Sequence, residues 1–448
     1  MLQFGHWAQL LPELLLGLTT IALLGLEIAQ APCRFQMRLA KISLIILLFL
    51  LIFLPQSPLT LFSGLLHLSR WTIAIKIILV VAGLFILYSR KVEECAKYFE
   101  FYLINIILSG FCLVSSSNLL FILIAYHWNL LNLYFLKLIN QKNNNMPIND
   151  LALRFGIISS LLMFWGAGWY IYQTHSLDLT ATQSMPSRVF IPSVVILLGL
   201  RQLILGAFQP SGSRDRAAID SQSLYLVLTL LQPLLELVIL LKIVCPFVNA
   251  AKSVAFFNVI GLVGIITLTI ANIKAPQSQT EQDFLQITFP IHTGLILLAI
   301  AAGSLWGMAV AIFYCLVCLY AYLLLTIVPS RGTFDLVRFW AWANLCGLPL
   351  TAGFAVRWEI FQVFVNRGLP GIIFLIFGLV NYAITFWLYT QRIKIELESK
   401  KSFSEIATTQ PVFQTLIGKV LLFIPLFILG FYWQPLLYFI ERLLAGCQ

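Results

Sequence analysis

The chain has 448 residues, of which 60% are hydrophobic and only 10% charged, and its mean hydropathy is +0.92. That balance excludes a soluble globular domain, in which about 25% of residues are charged. A net charge of +10 raises the question of nucleic acid, but the placement of the basic residues answers it otherwise.

Runs of about 20 apolar residues, the length that spans a bilayer, recur from end to end. About fourteen transmembrane helices are predicted, at 8–30, 40–56, 71–89, 98–117, 118–138, 153–174, 189–208, 223–244, 253–273, 284–303, 304–328, 336–363, 369–391 and 416–436. No connection is long enough to fold separately, so residues 1–448 read as one all-α polytopic membrane domain. Met1 to Gln9 hold no basic cluster and the first run is too long for a signal-peptide core, so no removable leader is expected.

Of the 28 Lys and Arg, 18 fall in or beside alternate loops, from Arg34, Arg38 and Lys41 to Arg392, Lys394, Lys400 and Lys401. The opposite loops and the C-terminus hold five, and five more lie within spans. This is the positive-inside pattern. It places both termini, and the 56–70 and 174–188 loops, on the outer face, and leaves no basic surface for nucleic acid.

Polar groups inside the spans are the candidates for function, because a charge near the membrane centre costs roughly 3 kcal/mol. Glu13 and Glu27 flank the first span and are read as interfacial or partner-facing; Lys76, Lys242 and Lys419 lie near helix ends and are expected to snorkel. The fifth span carries His127, with Asn129 and Asn132 offering a polar stripe. Arg201 is about twelve residues into the seventh span, beyond easy snorkelling. In the eighth, Gln232 and Pro233 precede Glu236, and the proline removes a helix donor, so an interruption is expected there. His292 is central in the tenth. The twelfth holds Gly347, Pro349 and Gly353, a second expected break, followed by Arg357. Titratable groups on successive helices, two of them broken, are how proton relays and transporter sites are built. The eight cysteines read as packing residues: Cys315 and Cys318 lie one helical turn apart, with no other ligand type near them in sequence. No metal site, phosphate-binding loop or haem spacing is read.

The stretch Leu345 to Trp358 resembles the Leu-x-Gly-Ile/Leu-Pro-x-x-x-Gly-Phe-x-x-Lys-Phe/Trp signature of the antiporter-like membrane subunits of respiratory complex I, most closely subunit 2 of NADH dehydrogenase. Glu100-Phe-Tyr102, the Ser115–Asn118 turn, Gly199-Leu-Arg201, Asn272-Ile-Lys274 and His292-Thr-Gly294 are similar to that family's motifs in the same helix order. The resemblance implies two inverted five-helix repeats with broken helices, here 98–244 and 253–391. It also implies a proton-translocating role beside similar antiporter-like subunits, other membrane-arm subunits and membrane lipids. Cofactors are not expected in this chain; FMN, iron–sulfur clusters and quinone belong to other subunits. The implied location is the mitochondrial inner membrane, with a bacterial plasma membrane as the alternative.

The sequence departs from the family where the chemistry sits. His127 stands where the resemblance implies a glutamate, and Arg201 and Arg357 where it implies lysines; Gln232 falls near the place of a further lysine. Arginine holds a fixed charge, whereas a desolvated lysine can give up its proton. The expectation is therefore a proton pathway that is altered and degenerate. Two other readings stand beside it: a Mrp-type cation/proton antiporter subunit, and a structural spacer without transport.

Overall fold

The computed structural model describes residues 9–53, 59–62, 65–90, 97–139, 160–161, 163–172, 175–178, 226–245, 248, 254–278, 280–328, 335–365, 367–398 and 416–445, the side chains of 59, 137 and 416–421 excepted. The expected span at 189–208, with Arg201, lies outside the described residues. The one at 153–174 is described in part, as helix over 160–161 and 163–172.

The chain enters with α1 (Leu11–Ile28) and α2 (Cys33–Phe53), and a short hairpin of β1 (Leu59–Leu61) and β2 (Leu66–Leu68) follows. Among the described residues, the hairpin is the two-stranded departure from an all-helical reading. Its strands pair antiparallel, Leu59 opposite Leu68, in a loop whose Leu-Thr-Leu and Leu-His-Leu runs alternate as a strand does. Then come α3 (Arg70–Ser89), α4 (Phe99–Ser115) and α5 (Leu119–Ile139). Helix starts are fixed by side-chain caps that satisfy the free N–H groups of a first turn. Ser69 and Thr72 form a reciprocal capping box at α3, and Asn118 Oδ1 accepts the amides of Leu120 and Phe121 at 3.0 and 3.3 Å. The turn from α4 to α5 falls at Ser116–Asn118, as expected, and bridges to the hairpin through Leu66 and Ser116.

The second half comprises a π-helical turn (Val227–Leu231) running into α6 (Gln232–Val244), then α7 (Val254–Lys274), α8 (Glu281–Ala301), α9 (Leu305–Ile327), α10 (Leu336–Cys346), α11 (Ala352–Val365), α12 (Gly368–Glu398), α13 (Leu416–Phe431) and α14 (Gln434–Ala445). Thr280, Ser304 and Asp335 cap α8, α9 and α10. Nine helices among the described residues are long and apolar enough to cross a membrane, ten if α13 and α14, bent by 85°, count as one. Together with the 17-residue α4 and the short α10–α11 pair, these account for the expected runs outside 153–174 and 189–208.

Burial separates lipid-facing from central helices. Only 22% of the best α1 window and 33% of that in α12 are buried, against 78% in α8 and 72% in α9. The α8 and α9 pair is thus the interior of the second half. Helix α8 packs on α7 backbone to backbone. A Cβ on Gly294 would lie 2.8 Å from the Gly264 carbonyl oxygen, and one on Gly264 2.9 Å from that of Gly294. Small residues let helices approach this closely in a membrane.

The two expected breaks differ. The one at Gly347 is a true interruption: α10 ends at Cys346, Gly347 and Leu350 take left-handed φ values of 78° and 75°, and α11 begins at Ala352. The one at Gln232-Pro233 is corrected. The helix continues, and the π turn over Val227–Leu231 widens it just before the proline, which occupies the start of α6. A π bulge relieves the clash of the ring with the carbonyl four residues back without parting the helix.

Candidate functional site

Pro349 has no N–H, so the Leu345 carbonyl, four residues earlier, has no helical donor. The side chain that fills this vacancy is Arg357. It is 1% exposed, and from α11 it turns back across the break to donate from Nη2 to the Leu345 carbonyl. Its Nε donates to the Tyr314 hydroxyl of α9 at 3.2 Å. The guanidinium carbon lies 5.1 Å from the centre of the Tyr382 ring and 5.8 Å from that of Tyr314. No carboxylate is among its described partners. The cation is held instead by a carbonyl, a hydroxyl, two aromatic faces and the negative end of the α10 dipole.

The break is locked from both sides. Asn344 Oδ1 accepts the Gly353 amide at 2.8 Å, capping α11 from α10, and the Tyr382 hydroxyl donates to the Gly347 carbonyl at 2.9 Å. Glycine is required at 353, because a Cβ would stand 2.0 Å from the Asn344 carbonyl oxygen. The Gly/Pro signature is thus a device for placing one cation at the ends of two half-helices.

From Arg357 a polar chain runs inward. Tyr314 Oη and His292 Nδ1 are 2.9 Å apart, and His292 Nε2 and Tyr389 Oη 2.8 Å. His292 is 1% exposed, in the interior of α8. Tyr314 accepts from arginine, which has no acceptor. Its own proton has two neighbours, His292 Nδ1 and Cys318, and the direction of each histidine contact follows the imidazole tautomer. The order is Arg357 to Tyr314 to His292 to Tyr389. The Cys318 Sγ lies 3.5 Å from Nδ1, and the Tyr322 ring stands edge-on to the imidazole with centres 5.7 Å apart.

Beyond Tyr389 the chain meets aromatic rings and then charge. Phe284 packs edge-on to Tyr389 at 5.2 Å and carries the Arg392 guanidinium over its face at 4.4 Å. Nearby, Arg338 of α10 is 1% exposed and saturated. Its Nη2 bonds both oxygens of Glu281 at 2.7 Å, its Nε bonds Glu396 at 3.1 Å and its Nη1 the Val328 carbonyl at 2.7 Å. This cluster ties α8, α10 and α12 together at one end of the polar chain.

The structure therefore brings together two of the six sequence candidates, His292 and Arg357. Arg201 lies outside the described residues, and His127, Gln232 and Glu236 make separate contacts. Gln232 donates to Glu236 at 3.0 Å within α6. His127 Nδ1 is 2.7 Å from the Leu123 carbonyl, and its ring stacks on Phe164 at 4.7 Å. The expected polar stripe on α5 divides. Asn129 faces α4, donating to Ser109 Oγ at 2.9 Å and the Ile106 carbonyl at 3.2 Å, while Asn132 turns back to the Trp128 carbonyl. Lys76 is corrected: it does not snorkel but is 1% exposed, paired with Glu13 of α1, its Nζ 5.3 Å from the Phe111 ring centre. Glu13 is correspondingly a partner within the bundle. Cys33 is disulfide-bonded and so is no mere packing residue.

Sequence reasoning missed Tyr314 and Tyr322 and read Cys318 as packing, although positions 314, 318 and 322 at spacings of four already place them on one face of α9. It also missed Tyr389 and Glu359, which follow Arg357 by longer or less telling intervals.

No protein-family model matches the sequence. NADH-quinone oxidoreductase subunit N 2 of Sorangium cellulosum is 23% identical over 439 residues, 86% of each chain. Among solved structures, a chain of respiratory complex I from Thermus thermophilus with bound aureothin superposes with a TM-score of 0.69 at 17% identity, covering 95% of this chain and 98% of that one. A chain of the Mrp complex from a Dietzia species gives 0.75 at 15% identity, covering 98% of this chain and 52% of that one. The protein has the fold of these chains of respiratory complex I and the Mrp complex, and its sequence is similar to that of subunit N of NADH-quinone oxidoreductase.

Proposed function

We propose that this chain is an antiporter-like subunit in the membrane arm of a proton-translocating NADH:quinone oxidoreductase. The observation that carries the reading is the buried chain Arg357–Tyr314–His292–Tyr389 across a broken helix. Imidazole and hydroxyl each donate and accept, so a proton arriving at His292 can leave by the other nitrogen while the hydroxyls turn. Arg357 cannot join that exchange. It orients the chain and keeps a positive charge at the break. The pathway in this half is altered in its parts: Arg357, a fixed cation, stands where the family resemblance implies a switching lysine, beside the histidine–tyrosine chain.

The bacterial relatives favour a plasma membrane, and the mitochondrial expectation finds no support among them. Both termini on the outer face, the repeats 98–244 and 253–391, proton-path roles for His127, Arg201, Gln232 and Glu236, and the placing of FMN, iron–sulfur clusters and quinone in neighbouring subunits belong to the same proposal. Affinity purification through this chain from detergent-solubilised membranes tests it. Co-purification of NADH-driven quinone reduction is expected; recovery of the chain free of that activity contradicts it. The Mrp reading is favoured by the higher TM-score of 0.75, and Na⁺/H⁺ exchange by the purified chain's assembly without NADH would select it.

A further inference from the structure

The carboxylates of the described ion pairs face cations: Glu13 faces Lys76, Glu100 faces Arg90, and Glu281 and Glu396 share Arg338. Glu359 faces two neutral donors. It is 6% exposed on α11, two residues beyond Arg357 and on the opposite face of the half-helix. Oε1 accepts from the Trp433 indole at 2.8 Å and Oε2 from the Trp306 indole at 3.2 Å. No cation pairs with it among the described residues. A buried intramembrane carboxylate marks a functional position by default.

The donor set limits what it can bind. An indole presents N–H and has no acceptor, so neither tryptophan can ligate a metal ion. A hard cation such as Na⁺ needs a shell of several oxygens, as Ca²⁺ and Mg²⁺ do, and the described contacts of the Glu359 carboxylate are two positive N–H ends and no second oxygen. A proton needs only one lone pair, and of the roughly four on a carboxylate two are used. The position has mechanical reach as well. Trp306 opens α9, the helix of Tyr314, and packs on Tyr438 of α14 with ring centres 5.2 Å apart; Trp433 sits in the 85° bend between α13 and α14.

We propose that Glu359 is a proton-binding site of this subunit that takes H⁺ and excludes Na⁺. The inference rests on the proton-translocating reading above. Hydronium gives its proton to a free lone pair of the carboxylate and departs as water; no other bond forms or breaks. The neutral acid is a weaker acceptor than the anion, so protonation slackens the clip between α11 and the C-terminal bend.

The test uses wild-type assembly in native membranes and a hydrophobic carbodiimide, which adds to a protonated buried carboxyl as an N-acylurea. Mass spectrometry is expected to find the adduct on Glu359, unaffected by Na⁺. Absence of the adduct, or protection by Na⁺, overturns the proposal. Two variants give a second readout. Glu359→Asp keeps a titratable group and is expected to retain proton translocation in part. Glu359→Gln keeps size and an acceptor and is expected to lose one proton per NADH oxidised. A purely structural role gives the reverse order, with Gln equal to or better than Asp. If the chain fails to co-purify with NADH oxidation, the function falls while the adduct on Glu359 is still read independently.

Discussion

Replacing Gly347 with alanine attacks the broken helix at its tightest point. A Cβ there would stand 1.9 Å from Arg357 Nη1 and 3.0 Å from the Tyr382 hydroxyl, on a backbone with φ of 78°. The left-handed conformation alone costs about 1–2 kcal/mol for a residue with a Cβ. The guanidinium must also withdraw, losing hydrogen bonds to Tyr314 and Leu345 that, being charged, contribute about 1.5–3 kcal/mol each. The sum, about 4–8 kcal/mol, is comparable with the whole stability of many domains. Gly347→Ala should therefore sharply lower the amount of this chain in the assembled complex. Amides of 344–353 should lose protection in hydrogen exchange. Gly368→Ala is the control: its φ is 71° but nothing lies within 4 Å of the added carbon, so only the backbone penalty remains. A Gly347→Ala variant that assembles and exchanges like wild type refutes the reasoning.

Further outcomes follow from other contacts. Tyr314→Phe removes the hydroxyl shared by Arg357 and His292; it should cost about 1–3 kcal/mol and depress proton translocation more than assembly, read as protons per NADH in the assembled complex. Lys76→Met leaves Glu13 buried without its cation and should destabilise by about 3–5 kcal/mol, with Lys76→Met/Glu13→Leu restoring much of the loss in thermal denaturation of the purified assembly. His67, in the hairpin outside the spans, has a pKa below its ordinary 6.5 because of burial and then the nearby Lys242. The unfolded hairpin then binds the proton more readily, so stability is full above about pH 6.5 and falls as pH drops below it; hydrogen exchange over 59–68 at pH 8 and pH 5 should show this, and His67→Asn should flatten it. Single cysteines at 395 and 397 should react with impermeant maleimide only from the inner face, as the alternation of Lys and Arg requires; reaction from outside contradicts that topology.

Much of this architecture was legible in the chain because the bilayer permits few solutions. Apolar runs must be helices, and a Gly-Leu-Pro sequence inside one must either be a break or be healed. The outcome at each proline depended on what surrounds it. Pro349 stands beside two residues in left-handed backbone and an arginine that claims the freed carbonyl, and the helix parts; Pro233 follows a run of apolar residues that widen into a π turn, and it does not. The central charge at Arg357 and the histidine at 292 were readable as polar exceptions. Their link through Tyr314 was not, because 43 positions separate it from Arg357 and tyrosine in an apolar helix is ordinary packing by composition. Lys76 looked like a helix-end residue for a similar reason: its partner Glu13 lies 63 positions away.

The central claim is that protons cross this half of the subunit through His292, held between two tyrosine hydroxyls. The most direct measurement is the number of protons translocated per NADH oxidised by the assembled complex carrying His292→Leu, reconstituted in sealed vesicles beside wild type. The account predicts an intact complex with unchanged NADH oxidation and a proton yield lower by the share of one subunit. A yield equal to wild type, with assembly confirmed, contradicts it.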